Sequence, residues 1–592
     1  MTYRWIPRSE SSPDTVAHLR TALNDLPEAL ARILVLRGIT TLNEARDFFR
    51  ATLDDLHDPF QMQDMARAAE RLATAIQTGE SVLVYGDYDV DGTTATTMMT
   101  QFLREHGVEV SYFIPDRYED GYGLCERGLD VAVARGASLV VALDCGITAH
   151  QEAAYARKQG LDLIICDHHT PKASLPDAFA VLDPKRSDCD YPFNELCGCG
   201  VGFKLIQATL DQLDVPPTRA FEALDLVGVA TASDIVPLEG ENRVLMEAGL
   251  EAIQTSDRPG LVALADAADL RLNTVTSTGT IVFTIGPRIN AAGRMDHAHR
   301  AVELLLASDV ESARPLAEHL ETLNQQRKDV DRQILQEAVA QAERQITARS
   351  PHALVLYDPD WHLGVIGIVA SRVVERFYKP TIMLTRNDDH VKGSARSISG
   401  INIYNALTDC EDVLTQFGGH DYAAGMSLPE DQVDRFRDRF DEAVGERVTP
   451  EMLTPTKKVD AHLSLDAIGN VQGRFWAVLK QFGPFGPANP TPVFQASDLA
   501  VVGRPRTVGG NDAHLKFRVR PSGERTDAPV YDVIGFDMGQ KLHVVQESQS
   551  NGVPLELLFS VEENTWNGRT TLQLRARDLR LQQTTRPASV SS

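Results

Sequence analysis

A chain of 592 residues is too long to fold around one hydrophobic core, so two to four domains are expected. Its 43 % hydrophobic and 24 % charged residues exclude a disordered or fibrous chain. No apolar run reaches the ~18 residues of a membrane span, and the N-terminus lacks the apolar stretch of a secretory signal. The seven cysteines are odd in number and form no C-x-x-C pair, which fits a reducing cytoplasm. Cys197 and Cys199 are too close for an ordinary disulfide and have no second pair to complete a zinc site. The net charge of −25 weighs against a nucleic-acid partner, because phosphate binding is mainly electrostatic. Against that, divalent cations invert the field of an acidic cluster, and residues 455–520 carry nine Lys or Arg to four Asp.

Residues 1–65 read as a helical lead-in, LARILVLRGI followed by TLNEARDFF with Thr41 as a cap. From about residue 66, helices alternate with short apolar strands: SVLVYG, VEVSYFI, SLVVALD, DLIICD and FAVLD. That alternation predicts an α/β fold with a doubly wound parallel sheet over 66–305. Residues 306–348 predict one long helix, with Leu316, Leu320, Leu323, Val330 and Ile334 forming an apolar packing stripe. At ~1.5 Å per residue such a helix reaches far enough to link two domains. A smaller α/β unit is expected over 349–450. The short, turn-separated strands of 455–582 predict a small β-barrel, and the tail 583–592 is expected to be disordered.

The chemistry concentrates at strand ends. GDYDVDG (86–92) sets Asp87, Asp89 and Asp91 two residues apart, immediately after SVLVYG. Asp144 follows SLVVAL, and Asp167, His168 and His169 follow LDLIIC. In a doubly wound sheet, ligands bind beyond the carboxyl ends of the strands, so three strands deliver carboxylate or imidazole to one edge. Close-set carboxylates repel unless a cation sits among them. A mixed Asp/His set suits Mn²⁺ or Mg²⁺, with imidazole favouring Mn²⁺. Each piece alone has a plainer reading as a solvated loop or a capping pair. A calcium loop is disfavoured, since Met98 stands at its twelfth position in place of Glu.

At GDYDVDG, LDCG, DHH and ASDIVPL the chain resembles the DHH phosphoesterase superfamily. PRINAAGR (287–294), GSARS (393–397), FGGHDYAAG (417–425) and FGPFGPANPTPVF (482–494) narrow the resemblance to its RecJ branch of single-strand-specific exonucleases. The resemblance implies two divalent cations held by Asp87, Asp89, Asp91, Asp144, His168 and Asp234, with catalysis resting on Asp89, Asp144, His168 and His169. It implies nucleic-acid contacts by Arg117, Arg288, Arg294, Ser394, Arg396 and His420, and a C-terminal oligonucleotide-binding (OB) barrel. Many relatives carry His where this chain has Tyr85. Tyr is a poor ligand for these ions, so the first cation is held more weakly or through Asp87.

The implied activity is 5′→3′ hydrolysis of single-stranded DNA to 5′ mononucleotides, in recombination and repair, by a cytoplasmic monomer. A single-strand-binding protein and a RecQ-type helicase are the implied protein partners. Two alternatives stand beside it. One is a phosphodiesterase of short oligomers or cyclic dinucleotides, a branch that lacks the barrel and PRINAAGR. The other is a non-catalytic replication scaffold, a class that loses the ligand carboxylates present here. For Trp476 the plain reading, barrel core, is preferred.

Overall fold

The computed structural model describes residues 3–9, 11–523 and 528–582; the tail expected to be disordered lies outside them. The chain divides into two compact units, Asp55–Pro455 and the residues up to Asp54 together with those from Thr456 onward.

The larger unit opens on a five-stranded, wholly parallel sheet. Its order is Val110–Phe113, Val82–Gly86, Leu139–Leu143, Asp162–Cys166, Ala180–Leu182. Every residue of Val82–Gly86 and Leu139–Leu143 is buried, as expected of parallel strands covered on both faces. The helix after Val82–Gly86 begins earlier than its apolar pattern suggests, at Val90, because Asp89 is its N-cap and accepts from Gly92 N at 3.1 Å. Asp91 therefore stands in the first helical turn. This helix, Val90–Glu105, is buried despite five threonines. Thr94 and Thr96 return their hydroxyl protons to the carbonyls of Val90 and Gly92 at 2.7 Å, and Thr97 does so to Thr93 at 2.8 Å.

The long helix runs over Val310–Arg349, 40 residues capped by Asp309 on Ser312 N at 2.8 Å. Leu320, Leu323 and Ile334 are buried as expected, while Leu316 and Val330 are half-buried. It leads into a mixed five-stranded sheet of order Gln416–Gly419, Ala423–Leu428, His390–Arg396, Thr381–Asn387, Leu354–Tyr357. The helix Leu363–Phe377 packs on that sheet.

The smaller unit is a closed barrel. Phe494–Val508 pairs with both His514–Pro521 and Leu555–Trp566. Tyr531–Gly535 and Arg569–Leu581 complete the ring. Full closure removes the sheet edges. Trp476 is core, 8 % exposed, its indole N–H donated to Glu563. The N-terminal helices belong to this unit: Phe48 and Phe49 meet Phe482 edge-on at 5.8 and 5.2 Å, and Arg4–Pro7 pairs in parallel with Thr456–Val459. Among the described residues no helix is long and apolar enough to cross a membrane.

Candidate metal centre and nucleic-acid interface

Each strand of the parallel sheet that precedes the cluster ends by turning a polar side chain into one small volume. Asp87 follows Val82–Gly86 and is 2 % exposed. Asp144 follows Leu139–Leu143 in the left-handed region, φ +61°, which Asp tolerates better than most residues. That backbone is held by Asp144 N donating to Cys166 O at 2.8 Å. His168 follows Asp162–Cys166, and Asp234 caps the end of the helix Leu224–Ser233.

Three sets of ligand atoms converge to within 4.8 Å of one another: Asp87, Asp89 and Asp144; Asp91, His168 and Asp234; Asp144, His168 and His169. Asp144 links the first set to the third, and His168 links the third to the second. His168 Nε2 stands 3.2 Å from Asp144, 3.5 Å from Asp234 and 3.9 Å from Asp91.

This donor set fits divalent cations on its own terms. Both ring nitrogens of the buried His168, together with Asp87 Oδ1 and Asp234 Oδ2, are buried without a hydrogen-bond partner, an arrangement that costs free energy unless something binds there. Burial, then the neighbouring charge of His169, pull His168 down to about 3, so the imidazole is neutral and free to ligate. Burial and adjacent carboxylates push the acids the other way. Asp91 rises to about 7 and Asp234 to about 9, and Asp87 and Asp144 stand well above the usual range.

The structure also shows how the set is held. Asp91 accepts from Gly198 N at 2.6 Å and Cys199 N at 2.8 Å, the first turn of the helix Gly198–Gln212. Asp167 accepts from Ile147 N at 2.8 Å, His168 N at 2.7 Å, His169 N at 3.1 Å and His169 Nδ1 at 2.8 Å. Burial alone would raise Asp167, but the His169 hydrogen bond and charge outweigh it and hold the carboxylate at about 2. Gly198 and Asp167 were missed as supports in the sequence. The small-residue run CGCG ahead of an apolar helix was the available sign of the first, and the DHH triplet of the second.

Tyr85 is not among the converging groups. It is fully buried, its hydroxyl donates to Gly123 O at 2.8 Å and accepts from Cys125 N at 3.2 Å, and its ring lies 5.3 Å from that of Phe113. Asp87 lies among the clustered ligand atoms and Tyr85 does not.

The residues expected on nucleic acid differ in what they touch. Arg294 donates to Gly364 O at 2.9 Å, at the start of the helix Leu363–Phe377. A Cβ added at Gly367 in that helix would meet Ser394 Oγ at 3.0 Å and Arg396 Nη2 at 3.2 Å, so the notch left by glycine faces both. Arg396 also donates to Ser394 Oγ at 2.9 Å. Burial, then the charges of Arg117 and Arg327, pull Arg294 down to about 10. Arg117 stacks 4.2 Å over the ring of Tyr88, which lies between Asp87 and Asp89 in sequence. The other two make different contacts. Arg288 is 8 % exposed and already engaged, donating to Thr284 O at 2.6 Å and paired with Glu321 at 2.5 Å. His420 is exposed, and its backbone N–H closes the 416–428 hairpin on Ala423 O at 2.8 Å.

In the barrel unit, Leu515, Phe517 and Val519 point into the core while Lys516 and Arg518 alternate outward. With Arg504 and Arg506 they line one open groove.

Comparison with known proteins accounts for this combination. The DHH family N-terminal domain matches residues 81–231, the DHHA1 domain 350–446 and the RecJ OB domain 459–578. The single-stranded-DNA-specific exonuclease RecJ of Bacillus subtilis strain 168 is 36 % identical over 567 residues, 95 % of this chain and 69 % of that protein. RecJ of Salmonella typhimurium is 35 % identical over 570 residues, 93 % of this chain and 95 % of its own. The crystal structure of RecJ in complex with Mn²⁺ from Thermus thermophilus superposes with a TM-score of 0.79 at 28 % identity, covering 98 % of this chain and 80 % of that one. RecJ from the same organism in complex with Mg²⁺ gives 0.75. The chain belongs to the RecJ family of single-stranded-DNA-specific exonucleases.

Proposed function

We propose that the chain removes 5′ mononucleotides from single-stranded DNA in the 5′→3′ direction, with two divalent cations, Mn²⁺ favoured over Mg²⁺. The observation that carries this reading is the linked donor set, three overlapping groups joined through Asp144 and His168 with four buried donor atoms lacking partners. Asp87, Asp89 and Asp144 would hold one cation, and Asp91, His168 and Asp234 the other. Two ions so held would supply Lewis-acid charge for activating water and for neutralising a phosphoester.

The remaining work falls to this chain's side chains. Arg294, Ser394 and Arg396, beside the first turns of Leu363–Phe377, seat the terminal phosphate, where guanidinium forks and the helix dipole both favour an anion. Arg117, ordered by its stack on Tyr88, adds positive charge at the acidic edge. His169, anchored on Asp167, stands at the open side of the cluster with its side chain 45 % exposed, within reach of a scissile phosphate. The basic groove of Arg504, Arg506, Lys516 and Arg518 binds the strand through its phosphates. Seven free cysteines support a reducing compartment, the cytoplasm.

The test is substitution at the link. Asp144→Asn keeps the shape and removes the charge, and it should abolish hydrolysis of long single-stranded DNA while leaving the melting curve of the metal-free protein close to wild type. Retained hydrolysis would overturn the assignment. Turnover of dinucleotides exceeding that of long DNA in the wild type would move the substrate to the short-oligomer class.

A further inference from the structure

Tyr122 is 55 % exposed, yet its hydroxyl is turned inward. It lies 3.1 Å from His169 Nε2, 3.2 Å from His169 Nδ1 and 3.3 Å from the backbone carbonyl of Asp144. The ring stands edge-on to His169 at 5.6 Å and to Tyr88 at 6.3 Å. An exposed tyrosine usually leaves its hydroxyl to water; this one reaches two groups at the metal centre instead.

The flanking residues explain how. Gly121 and Gly123 sit at φ +83° and +89°, and a Cβ added to either would meet nothing within 4 Å. Space does not require glycine at these positions. The left-handed backbone does, and a pair of such turns around one residue folds the tyrosine back toward the sheet edge.

His169 consequently has two anchors. Nδ1 lies 2.8 Å from Asp167 Oδ1, an acceptor, so Nδ1 carries a proton there, and the Tyr122 hydroxyl, which donates its own proton to the Asp144 carbonyl, lies against the same ring. With the Asp167 contact alone the ring could tilt about that one hydrogen bond. The Tyr122 hydroxyl, nearly equidistant from both ring nitrogens, bears on the face of the ring and limits that tilt.

We propose that Tyr122 is a positioning residue for phosphodiester hydrolysis: its hydroxyl, donated to the Asp144 carbonyl, bears on the ring of His169 and holds it beside Asp144, without itself touching the phosphate. This rests on the exonuclease reading and adds to it a residue that neither the strand-end carboxylates nor the arginine group includes.

The experiment is a double-mutant cycle of Tyr122→Phe and His169→Ala, assayed on single-stranded DNA with Mn²⁺, alongside ¹⁵N imidazole spectra of the metal-free protein. Tyr122→Phe keeps the ring and removes only the hydroxyl. We expect kcat about tenfold lower, KM within about twofold, Mn²⁺ affinity by calorimetry unchanged, and no further loss when the change is added to His169→Ala. In the spectra the His169 ring resonances should shift in Tyr122→Phe while those of His168 stay in place. Wild-type kcat in Tyr122→Phe, or losses that multiply with His169→Ala, would overturn the role, as would unchanged His169 ring resonances. If the wild type cleaves no single-stranded DNA, the exonuclease reading fails, and the spectra still decide the Tyr122–His169 contact.

Discussion

Gly198 lies directly against Asp144. A Cβ built on this glycine would stand 2.6 Å from the Cβ of Asp144, while its backbone N–H holds Asp91 at 2.6 Å. One residue thus seats a carboxylate from each of the first two ligand sets, and no side chain fits without moving one of them. Gly198→Ala is expected to lower the hydrolytic rate by about 100-fold, the scale of an ångström-sized misplacement. Overpacking should also cost about 1–3 kcal/mol of stability. Rates with Mn²⁺ and a urea melt check both, and a fully active Gly198→Ala would contradict the geometry.

The acids of the centre make cation binding depend on pH in a definite direction. Burial first, then Asp89, raise Asp91 to about 7; burial, Asp91 and Asp89 raise Asp234 to about 9. Above the ordinary carboxylate range and up to those values, the folded metal-free protein binds more protons than the unfolded chain. Its stability therefore falls as pH rises across that window. Cations take the ionised form, so binding must release protons and apparent affinity must increase with pH. Mn²⁺ titration calorimetry at pH 7 in two buffers of different ionisation enthalpy should count at least one proton released. Zero release would show that these carboxylates are not the ligands.

Away from the centre, the fully buried Lys204 donates to Glu241 at 2.7 Å and to His57 O at 2.8 Å, and Glu241 accepts from Tyr191 Oη at 2.6 Å and His57 N at 2.8 Å. Breaking such a pair leaves a buried charge uncompensated. Lys204→Met is expected to cost about 3–5 kcal/mol, with part recovered by adding Glu241→Gln. Urea denaturation reads both, and a loss below about 1 kcal/mol would mean that Glu241 finds another partner.

The barrel groove makes a salt-dependence prediction. Each phosphate neutralised on a single strand contributes roughly 0.7 to the log–log slope of affinity against salt. Replacing both Lys516 and Arg518 by Ala should flatten that slope by roughly 1.4 for long single-stranded DNA. An unchanged slope would place the strand elsewhere on the barrel.

Much of this architecture was legible because the local signals were strong. Apolar runs ending in Asp or His marked the strand ends, and the helical-period apolar stripe marked the long helix. What the sequence could not give was partnership across long separations. Nothing in LARILVLRGI or EARDFF indicates that Phe48 and Phe49 pack on Phe482, far along the chain. PRINAAGR pointed to two arginines, but only the structure shows Arg294 at the helix start and Arg288 occupied by Glu321. Tyr85 stood out as a departure at a ligand position. Its core role depends on Gly123, Cys125 and Phe113, whose approach no spacing rule predicts. The supports were the least visible, since backbone N–H donors such as that of Gly198 leave no side-chain signature.

The most direct test of the central claim is digestion of a long single-stranded DNA labelled at either the 5′ or the 3′ end, with Mn²⁺ and with chelator. Immediate release of labelled mononucleotide from the 5′ end alone, abolished by chelator, is the expected result. Release that begins at the 3′ end, or that persists in chelator, would contradict the phosphate seat or the two-cation centre respectively.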